Sequence, residues 1–561
     1  MNISNINIFI STFIIMTYSV LAKETDLLNI MQKELKRNFF ELKKQEIKPY
    51  FISYQITEND NYRISSSLGN TISSAEIKNR TFDVDLRVGD YNFDNTHIIR
   101  GSAFQFGSSG GSARLPFENN EMAIRLKIWN LTDRHYKSAI ERYGKAKTNQ
   151  AVKVEEVDKS DDFTKEKKEI FTNNKEKIKF DIKKWEDKLN EVSFEFRNYP
   201  WILNSNLSLQ VDNITKYFVN SEGSRIKQTE PYIRIMLNAN TKADDGMTLP
   251  LYKSYFSYNI DGLPSKEQMK KDLFQMVETL AGLRKAPIAK TYSGPAILSG
   301  EAAGVFFHEI FGHRVEGHRE KDPNSSQTFK QMIGNDILPN FINVVFDPTK
   351  KSLKNNDISG HYIYDDEGVK AKKVVTVDKG VFKGFLMSRS PIENFPNSNG
   401  HGRKQAGYKA VSRQSNLIVE AEKTVNFEKL KKELIKICKA EDKEYGLYFS
   451  VVHGGFTFTS RTIPNAFNVM PLVVYKIYAD GRADELVRGV DLIGTPLTTF
   501  KNITFAADDL GVFNGICGAE SGGVPVSASS PSLLVSTIEV QKKKKSQAKP
   551  PLLPAPDFIN P

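Results

Sequence analysis

The chain has 561 residues, of which 39% are hydrophobic and 26% are charged, and its formal net charge is +11. This length exceeds what one ordinary hydrophobic core organises, so we expect two domains. The positive charge is spread along the chain beside Asp and Glu, and neither a zinc-finger spacing nor an RNP motif is present, which argues against a nucleic-acid partner.

The first 22 residues are typical of a secretory signal peptide. An apolar run through residues 8–16 is followed by residues 20–22, Val-Leu-Ala, which suit cleavage before Lys23. The alternative is a membrane anchor, but the run is short for a span of about 20 residues. No later stretch is long and apolar enough to cross a bilayer. We therefore predict an exported protein, periplasmic or extracellular, with no membrane span after signal removal.

Residues 23–285 are predicted to form an N-terminal α+β domain. Apolar residues recur at helical spacing over residues 23–50, and period-two alternation then predicts antiparallel strands up to Val88. Turns are expected at Gly69 and Gly89, where glycine tolerates the backbone conformation of a tight turn. The domain thus begins with a helix followed by a sheet.

A charged segment near residues 134–190 interrupts this domain. Its density of Lys and Glu predicts a solvated helical pair, inserted between the first strands and the next. Alternating strands are expected to resume over residues 193–260, and Lys266–Arg284 has the pattern of an amphipathic helix. We place the domain boundary after residue 285.

Residues 286–541 are predicted to form a second, strand-rich domain, so the whole chain falls in the α+β class. A strand at residues 296–298 precedes a helix that carries most of the chemically reactive residues, and many short strands follow. Val425–Ala440 is one further amphipathic helix. The tail, residues 542–561, is rich first in Lys and then in Pro, and is predicted to be disordered.

Three of the chain's eight histidines lie within eleven residues. His308 and His313 enclose Glu309 in a His-Glu-x-x-x-His sequence, on a helix that Ser299 can cap. Positions i and i+5 of a straight helix point about 140° apart, so both imidazoles reach one ion only if the helix ends between them; Gly312 suits such a break. Glu309 stands where a base would take a proton from water held by a metal. The alternative is a helix with two surface histidines, which its apolar neighbours oppose.

A catalytic zinc takes three protein ligands and keeps a fourth position open. The candidates for the third ligand are Glu316, His318, Cys517 and the remote His97, His135, His361, His401 and His453. Cys517 lies among glycines that allow close approach, whereas Cys438 follows apolar residues at helical spacing and is predicted to lie in the core. This contrast favours Cys517. In an exported chain the two cysteines could instead form a disulfide.

Several motifs occur in one order along the second domain. They are the His-Glu-x-x-x-His helix, Asp365-Asp366-Glu367-Gly368, Gly384-x-Leu386-x-x-Arg389, Gly400-x-Gly402-Arg403, Gly454-Gly455 and Asn514-Gly515-x-Cys517-Gly518. In these motifs the chain resembles the TldD/PmbA family of metallopeptidases, over roughly residues 290–540. The N-terminal helix and sheet resemble the family more loosely, and the charged segment looks like an insertion.

The resemblance implies that zinc is bound by His308, His313 and Cys517, with Glu309 as the base. It also implies cleavage of unfolded or extended peptides inside a closed dimeric chamber. The dimer would be a homodimer, or a heterodimer with a non-catalytic family member that lacks the His motif. The chain departs from the family in two respects. His318 stands where Asp is common and offers a surplus ligand or a substrate contact, and the family is typically cytoplasmic, unlike a chain with an export signal.

Two functions of different classes follow from these observations. The first is a zinc-dependent peptidase, in which an extended peptide adds as a strand to a sheet edge. The second is a non-catalytic, exported binding or scaffold protein of the same fold, with Cys438 and Cys517 joined in a disulfide. Within the enzyme class, a zinc amidase is a further alternative.

Overall fold

The chain folds into a mixture of helices and sheets. The computed structural model describes residues 26–99, 111–152, 158–173, 176–325, 327–460, 467–494, 496–543, 549–551 and 553. Helix accounts for 25% and strand for 41%, which confirms the α+β class. The predicted signal peptide lies outside the described residues, as does most of the predicted tail. Of the helices described, none has the length and apolar character needed to cross a membrane.

The first half of the chain is built on one seven-stranded sheet. Its strands are β1 (Pro49–Ser67), β2 (Asn70–Val88), β3 (Ser112–Arg114), β4 (Ile170–Thr172), β5 (Asn204–Asn220), β6 (Arg225–Lys242) and β7 (Thr248–Ser257). The order is β3-β2-β1-β5-β6-β4, and β7 also pairs with β6. The β1–β2 hairpin turns at Leu68 and Gly69, which both adopt positive φ, as tight two-residue hairpin turns require.

Four helices cover this sheet. They are α1 (Leu27–Leu42), α2 (Glu121–Ala151), α3 (Ile182–Phe194) and α4 (Lys266–Lys285). Helix α1 packs on β1 and β5, α2 packs on β2, α3 packs on β1, β2 and β5, and α4 packs on β6 and β7. The charged segment therefore contains the end of α2 and most of α3, with β4 between them. A short 3-10 turn, Glu195–Asn198, extends α3, so the strands that the sequence predicts from residue 193 begin only at Asn204.

The second half has many shorter strands and four helices. The strands are β8 (Tyr292–Leu298), β9 (Ile342–Phe346), β10 (Ser352–Leu353), β11 (Asn356–Asp357), β12 (Val374–Asp378), β13 (Val381–Phe382), β14 (Gly402–Arg403), β15 (Val411–Ser412), β16 (Asn416–Ala421), β17 (Tyr445–Thr457), β18 (Phe467–Tyr478), β19 (Glu485–Val487), β20 (Val490–Gly494), β21 (Ile503–Ala506), β22 (Gly511–Ala519), β23 (Gly522–Ser530) and β24 (Leu533–Lys542). The helices are α5 (Gly300–Ile310), α6 (His318–Lys321), α7 (Phe427–Ala440) and α8 (Pro496–Lys501).

These strands form two main sheets with α5 between them. One sheet has the order β17-β8-β24-β20-β18-β19, and since β17 also pairs with β18, five of its strands close into a ring. The other has the order β13-β12-β9-β16-β23-β22. Helix α5 is buried against both, and a Cβ added at Gly304 would lie 2.7 Å from the Ala528 carbonyl oxygen of β23. This close packing places the C-terminal end of α5 between β17 and β22.

The two halves are joined by buried ion pairs that we call the domain-interface network. Its members are Asp83, Lys216, Glu222, Asp365, Asp366, Glu367, Arg389 and Lys404. Lys404 Nζ lies 2.8 Å from Asp83, and Arg389 lies 2.7 Å from Glu222. Two further contacts bring the first sheet against the second half. Arg234 of β6 donates to the Asn514 carbonyl of β22, and Tyr252 of β7 donates to the Val452 carbonyl of β17, both at 2.9 Å.

Candidate metal centre

Helix α5 ends within the His-Glu-x-x-x-His sequence. Ser299 caps its start by accepting from the Ala302 N–H, and the helix stops at Ile310. Residues Gly312–Arg314 then form a 3-10 turn. A Cβ at Gly312 would overlap the side-chain amide of the buried Gln414, so glycine here leaves the space that this amide occupies. The i, i+5 spacing of the histidines requires such a break, and the turn carries His313 back toward His308.

The structure brings His308, His313 and Cys517 together in one buried group. Their ligand atoms all lie within 4.8 Å of one another, and Cys517 Sγ is 3.4 Å from His313 Nε2. The two imidazole rings are 5.0 Å apart between centroids and nearly perpendicular. In a tetrahedral zinc site a sulfur and a nitrogen ligand are about 3.5 Å apart. This group, in which His313 and Cys517 are 204 residues apart in sequence, is consistent with zinc.

Glu309 lies beside this group with one carboxylate oxygen unpaired. The residue is 5% exposed, and its Oε2 has no hydrogen-bond partner among the described residues. Gly455 of β17 supports it from behind, since a Cβ there would come within 2.5 Å of Glu309 Cγ. Burial raises the pKa of Glu309, while His308 and His313 oppose this shift in part. A buried acceptor without a partner is costly, so the site fits a further polar group, such as a metal with its water.

Glu316 orients the second histidine. Its Oε2 lies 3.3 Å from His313 Nδ1, and Arg319 donates to the same oxygen at 2.9 Å. Burial would raise the pKa of Glu316, but His313 and Arg319 lower it to about 2, so the carboxylate stays ionised. A carboxylate that accepts from the ring nitrogen away from the metal is the usual support for a metal-binding histidine.

The thiol of Cys517 is held in its metal-binding form. Burial would raise its pKa, but the charges of His313, His308 and Arg413 hold it well below the usual value. Burial likewise opposes the charge on His313, yet Cys517 and Glu316 raise the pKa of its imidazole well above the ordinary range. These opposite shifts favour a thiolate beside an imidazolium in the metal-free pair.

The other candidate ligands have different contacts. His318 lies against the Glu520 carboxylate and outside the three-residue group. The remaining contacts are His97 with Asp162, His135 with the Gly111 carbonyl, His361 with the Pro348 carbonyl, His401 with Asn399, and His453 with the ring of Tyr252. Across the described part of the chain, His308, His313 and Cys517 are the one group of this kind.

The two cysteines are not bonded to each other. Neither Cys438 nor Cys517 is in a disulfide. Cys438 lies on α7 in a small apolar core with Leu430 and Leu434, as its helical spacing predicts, while Cys517 lies on β22 in the metal group. The disulfide that the scaffold alternative requires is therefore absent between these two described residues.

Three charged residues of the site escaped the sequence analysis. Arg319 and Glu520 form a 2.9 Å ion pair, and Arg413 contacts Glu316 and Cys517. Arg413 belongs to a polar run, Ser412 to Asn416, in which every residue is fully buried. The polar residues of such a run predict an exposed loop. No local sequence pattern therefore indicates that Arg413 is buried at the site.

The second half of the chain is similar to a known family of metallopeptidases. Residues 291–542 match the family model described as the PmbA/TldA metallopeptidase C-terminal domain. A metalloprotease of Methanothermobacter thermautotrophicus is 27% identical over 57% of this chain and 65% of its own length. A metalloprotease of Archaeoglobus fulgidus is 28% identical over 49% and 58%, and a zinc metalloprotease TldD homolog of Saccharolobus solfataricus is 23% identical over 48% and 58%. The chain thus spans less than two thirds of each of these relatives.

Two solved structures are similar over nearly the whole chain. A Thermotoga maritima protein aligns with a TM-score of 0.59 at 16% identity, covering 91% of this chain and 99% of that one. TldE from Thermococcus kodakarensis aligns with a TM-score of 0.56 at 14% identity, with the same coverage. At these identities the likeness shows a shared fold that includes both halves.

Proposed function

Through its C-terminal domain this chain belongs to the PmbA/TldD family of metallopeptidases, and we propose that it is a zinc-dependent peptidase acting on unfolded or extended peptides. One observation carries the proposal. The buried group of His308, His313 and Cys517 has the unpaired carboxylate oxygen of Glu309 beside it. Three metal ligands with an adjacent free carboxylate are the arrangement that metal-assisted hydrolysis needs.

His308, His313 and Cys517 are the residues that would hold the zinc. When bound, zinc would supply Lewis-acid chemistry, which lowers the pKa of a coordinated water to about 7 and polarises a carbonyl group. Two imidazoles and one thiolate are also a donor set that zinc prefers over calcium or magnesium, which take oxygen ligands.

Glu309 is the base in this proposal. Its Oε2 is free to accept a proton from the attacking water, and burial raises its pKa, which strengthens it as a base. The same carboxyl group then gives the proton to the leaving amine. Gly455 leaves the space that the Glu309 side chain occupies, because a Cβ at this position would lie 2.5 Å from Glu309 Cγ.

The strand that carries Cys517 is suited to an extended substrate. Within the described sheets, β22 pairs only with β23 and forms an edge. Next to Cys517, Ile516 is 64% exposed and offers an apolar contact. An extended peptide that adds to this edge would be bound mainly through its backbone, which favours unfolded substrates over a fixed sequence.

Export and assembly are two further parts of the proposal. The signal-like residues 1–22 support export to the periplasm or the extracellular space. The family resemblance supports a dimer, formed with a second copy or with a non-catalytic family member. N-terminal sequencing, which should begin at Lys23, tests the first part, and light scattering tests the second.

The proposal is tested by exchanging the base and a ligand separately. Glu309→Gln should keep zinc and lose peptide cleavage by about 10²-fold or more, because glutamine is nearly isosteric but cannot take a proton. His308→Ala should lose zinc and cleavage together. Metal analysis gives zinc per chain, and mass spectrometry of a peptide mixture gives the cleavage rates.

Other results of these zinc and cleavage measurements would contradict the proposal in different ways. Wild-type rates in Glu309→Gln would exclude Glu309 as the base. A wild-type protein that holds zinc but cleaves only non-peptide amides would be a zinc amidase. If the wild type holds no zinc and cleaves nothing, a non-catalytic binding function replaces the proposal.

A further inference from the structure

Arg413 has all five of its guanidinium N–H groups paired. The side chain is fully buried. Its Nε donates to Glu316 Oε1 at 3.2 Å. Its Nη1 donates to Ser521 Oγ at 2.7 Å and to the Gly522 carbonyl at 3.0 Å. Its Nη2 donates to the Cys517 carbonyl at 2.7 Å and to Cys517 Sγ at 3.2 Å.

These contacts connect two parts of the metal group that come from distant segments. Cys517 lies on β22, and Ser521 and Gly522 lie at the turn that follows it. Glu316 lies after the 3-10 turn and accepts from His313. The Arg413 guanidinium thus contacts one candidate ligand, Cys517, directly. It reaches a second, His313, through the carboxylate of Glu316.

We propose that Arg413 is a positioning residue of the metal centre, which fixes the sulfur of Cys517 and, through Glu316, the ring of His313 in the arrangement that binds zinc. This inference rests on the proposed function, since it takes zinc as the ion of this site. Arg413 touches neither substrate nor metal, and it acts through the ligands that it holds.

Lysine could not replace Arg413 at this position. The planar guanidinium has five N–H donors in a fixed arrangement, and each has an acceptor here. The ammonium of a lysine has three donors at the end of a flexible chain. The charge also matters. Arg413 faces two anions, the Cys517 thiolate and the Glu316 carboxylate, which would repel each other without it. A hydrogen bond to the thiolate further withdraws electron density from sulfur, which leaves more positive character on a bound metal.

The test is Arg413→Lys, with Arg389→Lys as the matched control. Arg389 is equally buried and donates to Glu222 and to the Thr164 carbonyl, but it touches no residue of the metal group. Both variants keep the charge and lose the fork. Zinc affinity, measured on the full chain by competition with a chelator, should fall about 10–100-fold in Arg413→Lys and stay at the wild-type value in Arg389→Lys.

A spectroscopic readout separates positioning from a general loss of structure. In protein loaded with Co²⁺, the thiolate-to-metal charge-transfer band should move to longer wavelength in Arg413→Lys, because the sulfur has lost a hydrogen bond. A variant that is only less stable would keep the band position. If Arg413→Lys does not fold, Ser521→Ala replaces it. This variant frees Nη1 from one of its acceptors and should weaken zinc binding several-fold.

Two results would overturn the inference. Wild-type zinc affinity and an unmoved cobalt band in Arg413→Lys would do so, as would wild-type affinity in Ser521→Ala if that variant has to be used. In either case a wild type that binds zinc leaves the peptidase proposal standing. If the wild type binds neither metal, the peptidase proposal fails as well.

Discussion

Two networks of buried charged residues in this molecule differ in what they hold in place. The domain-interface network joins the two halves of the chain. The second, which we call the metal-site network, includes one candidate ligand and the charged residues beside the ligand group: Glu316, Arg319, Arg413, Cys517 and Glu520. In the first, Asp365 accepts from three backbone N–H groups, and Asp366 accepts from Lys216, Gln55 and the Lys404 N–H. In the second, the ligand atoms converge and the neighbouring Glu309 keeps an oxygen unpaired.

The difference shows what marks a functional site in this chain. Burial of charge does not, because Arg389 and Arg413 are equally buried. The interface network is closed, since its aspartates have their partners within the protein, and a closed network holds two surfaces together. The metal site leaves one carboxylate oxygen open beside three ligand atoms. A buried oxygen that lacks a hydrogen-bond partner in the protein indicates a site where a ligand binds.

The largest expected effect is that of Cys517→Ala, with Cys438→Ala as its control. Cys517→Ala should remove most of the zinc and lower peptide cleavage by about 10³-fold or more, since a catalytic metal contributes several kcal/mol and each 1.36 kcal/mol is a factor of ten. Cys438→Ala should keep zinc and activity, at a cost of about 1 kcal/mol in stability for a buried side chain. Metal analysis and thermal unfolding measure both. Equal zinc in Cys517→Ala and the wild type would remove Cys517 from the site.

A smaller effect is expected from substituting two glycines, one beside each network, that each lie close to a glutamate side chain. A Cβ at Gly455 would lie 2.5 Å from Glu309 Cγ, and a Cβ at Gly402 would lie 2.7 Å from Glu367 Cδ. Gly455→Ala should displace the base and lower cleavage by about 10²-fold while zinc stays bound, because a displacement of about 1 Å has that cost in an active site. Gly402→Ala should lower stability by about 1–3 kcal/mol through overpacking and leave zinc content unchanged.

The two glycine variants are compared by two independent measurements, one for each network. Steady-state peptide cleavage and metal content report on the metal site, and chemical denaturation reports on the interface. If Gly455→Ala lost only stability, or if Gly402→Ala lost only activity, the division of the two networks into a functional and a structural one would be wrong.

The sequence predicts what is local in this molecule. Helix α4 and the β1–β2 hairpin follow from periodicity and a turn glycine, and the break in α5 follows from the i, i+5 spacing and Gly312. Both networks escape such reasoning. Arg413 and Glu316 are 97 residues apart, and Lys404 and Asp83 are 321 apart, so no spacing relates them. Their polarity also predicts exposure, because hydropathy cannot anticipate that opposite charges will be buried together.

The smallest expected effect is a pH dependence of the interface. Burial raises the pKa of Glu367 from about 4.5 to about 7, against the lowering effect of the Arg389 N–H and guanidinium. The folded state therefore holds a proton that the unfolded state has lost between these values. Stability from this group is complete below about pH 4.5 and is lost as the pH rises through about 7. Glu367→Gln should flatten the fall in the free energy of unfolding across this window, by an amount on the order of 1 kcal/mol.

Asp366 provides the opposite sign within the same network. Burial would raise its pKa, but Lys216 and the Lys404 N–H hold it below the usual value, so its contribution is present at neutral pH and is lost as the pH falls through the folded pKa. Asp366→Asn should therefore lower stability at pH 7, where Glu367→Gln should raise it, and both should hold as much zinc as the wild type at a fixed pH. Thermal unfolding from pH 4 to 8 separates the two slopes. A wild-type slope retained in Glu367→Gln would show that another group titrates at the interface, because glutamine can still accept from the Arg389 N–H but binds no proton in this range.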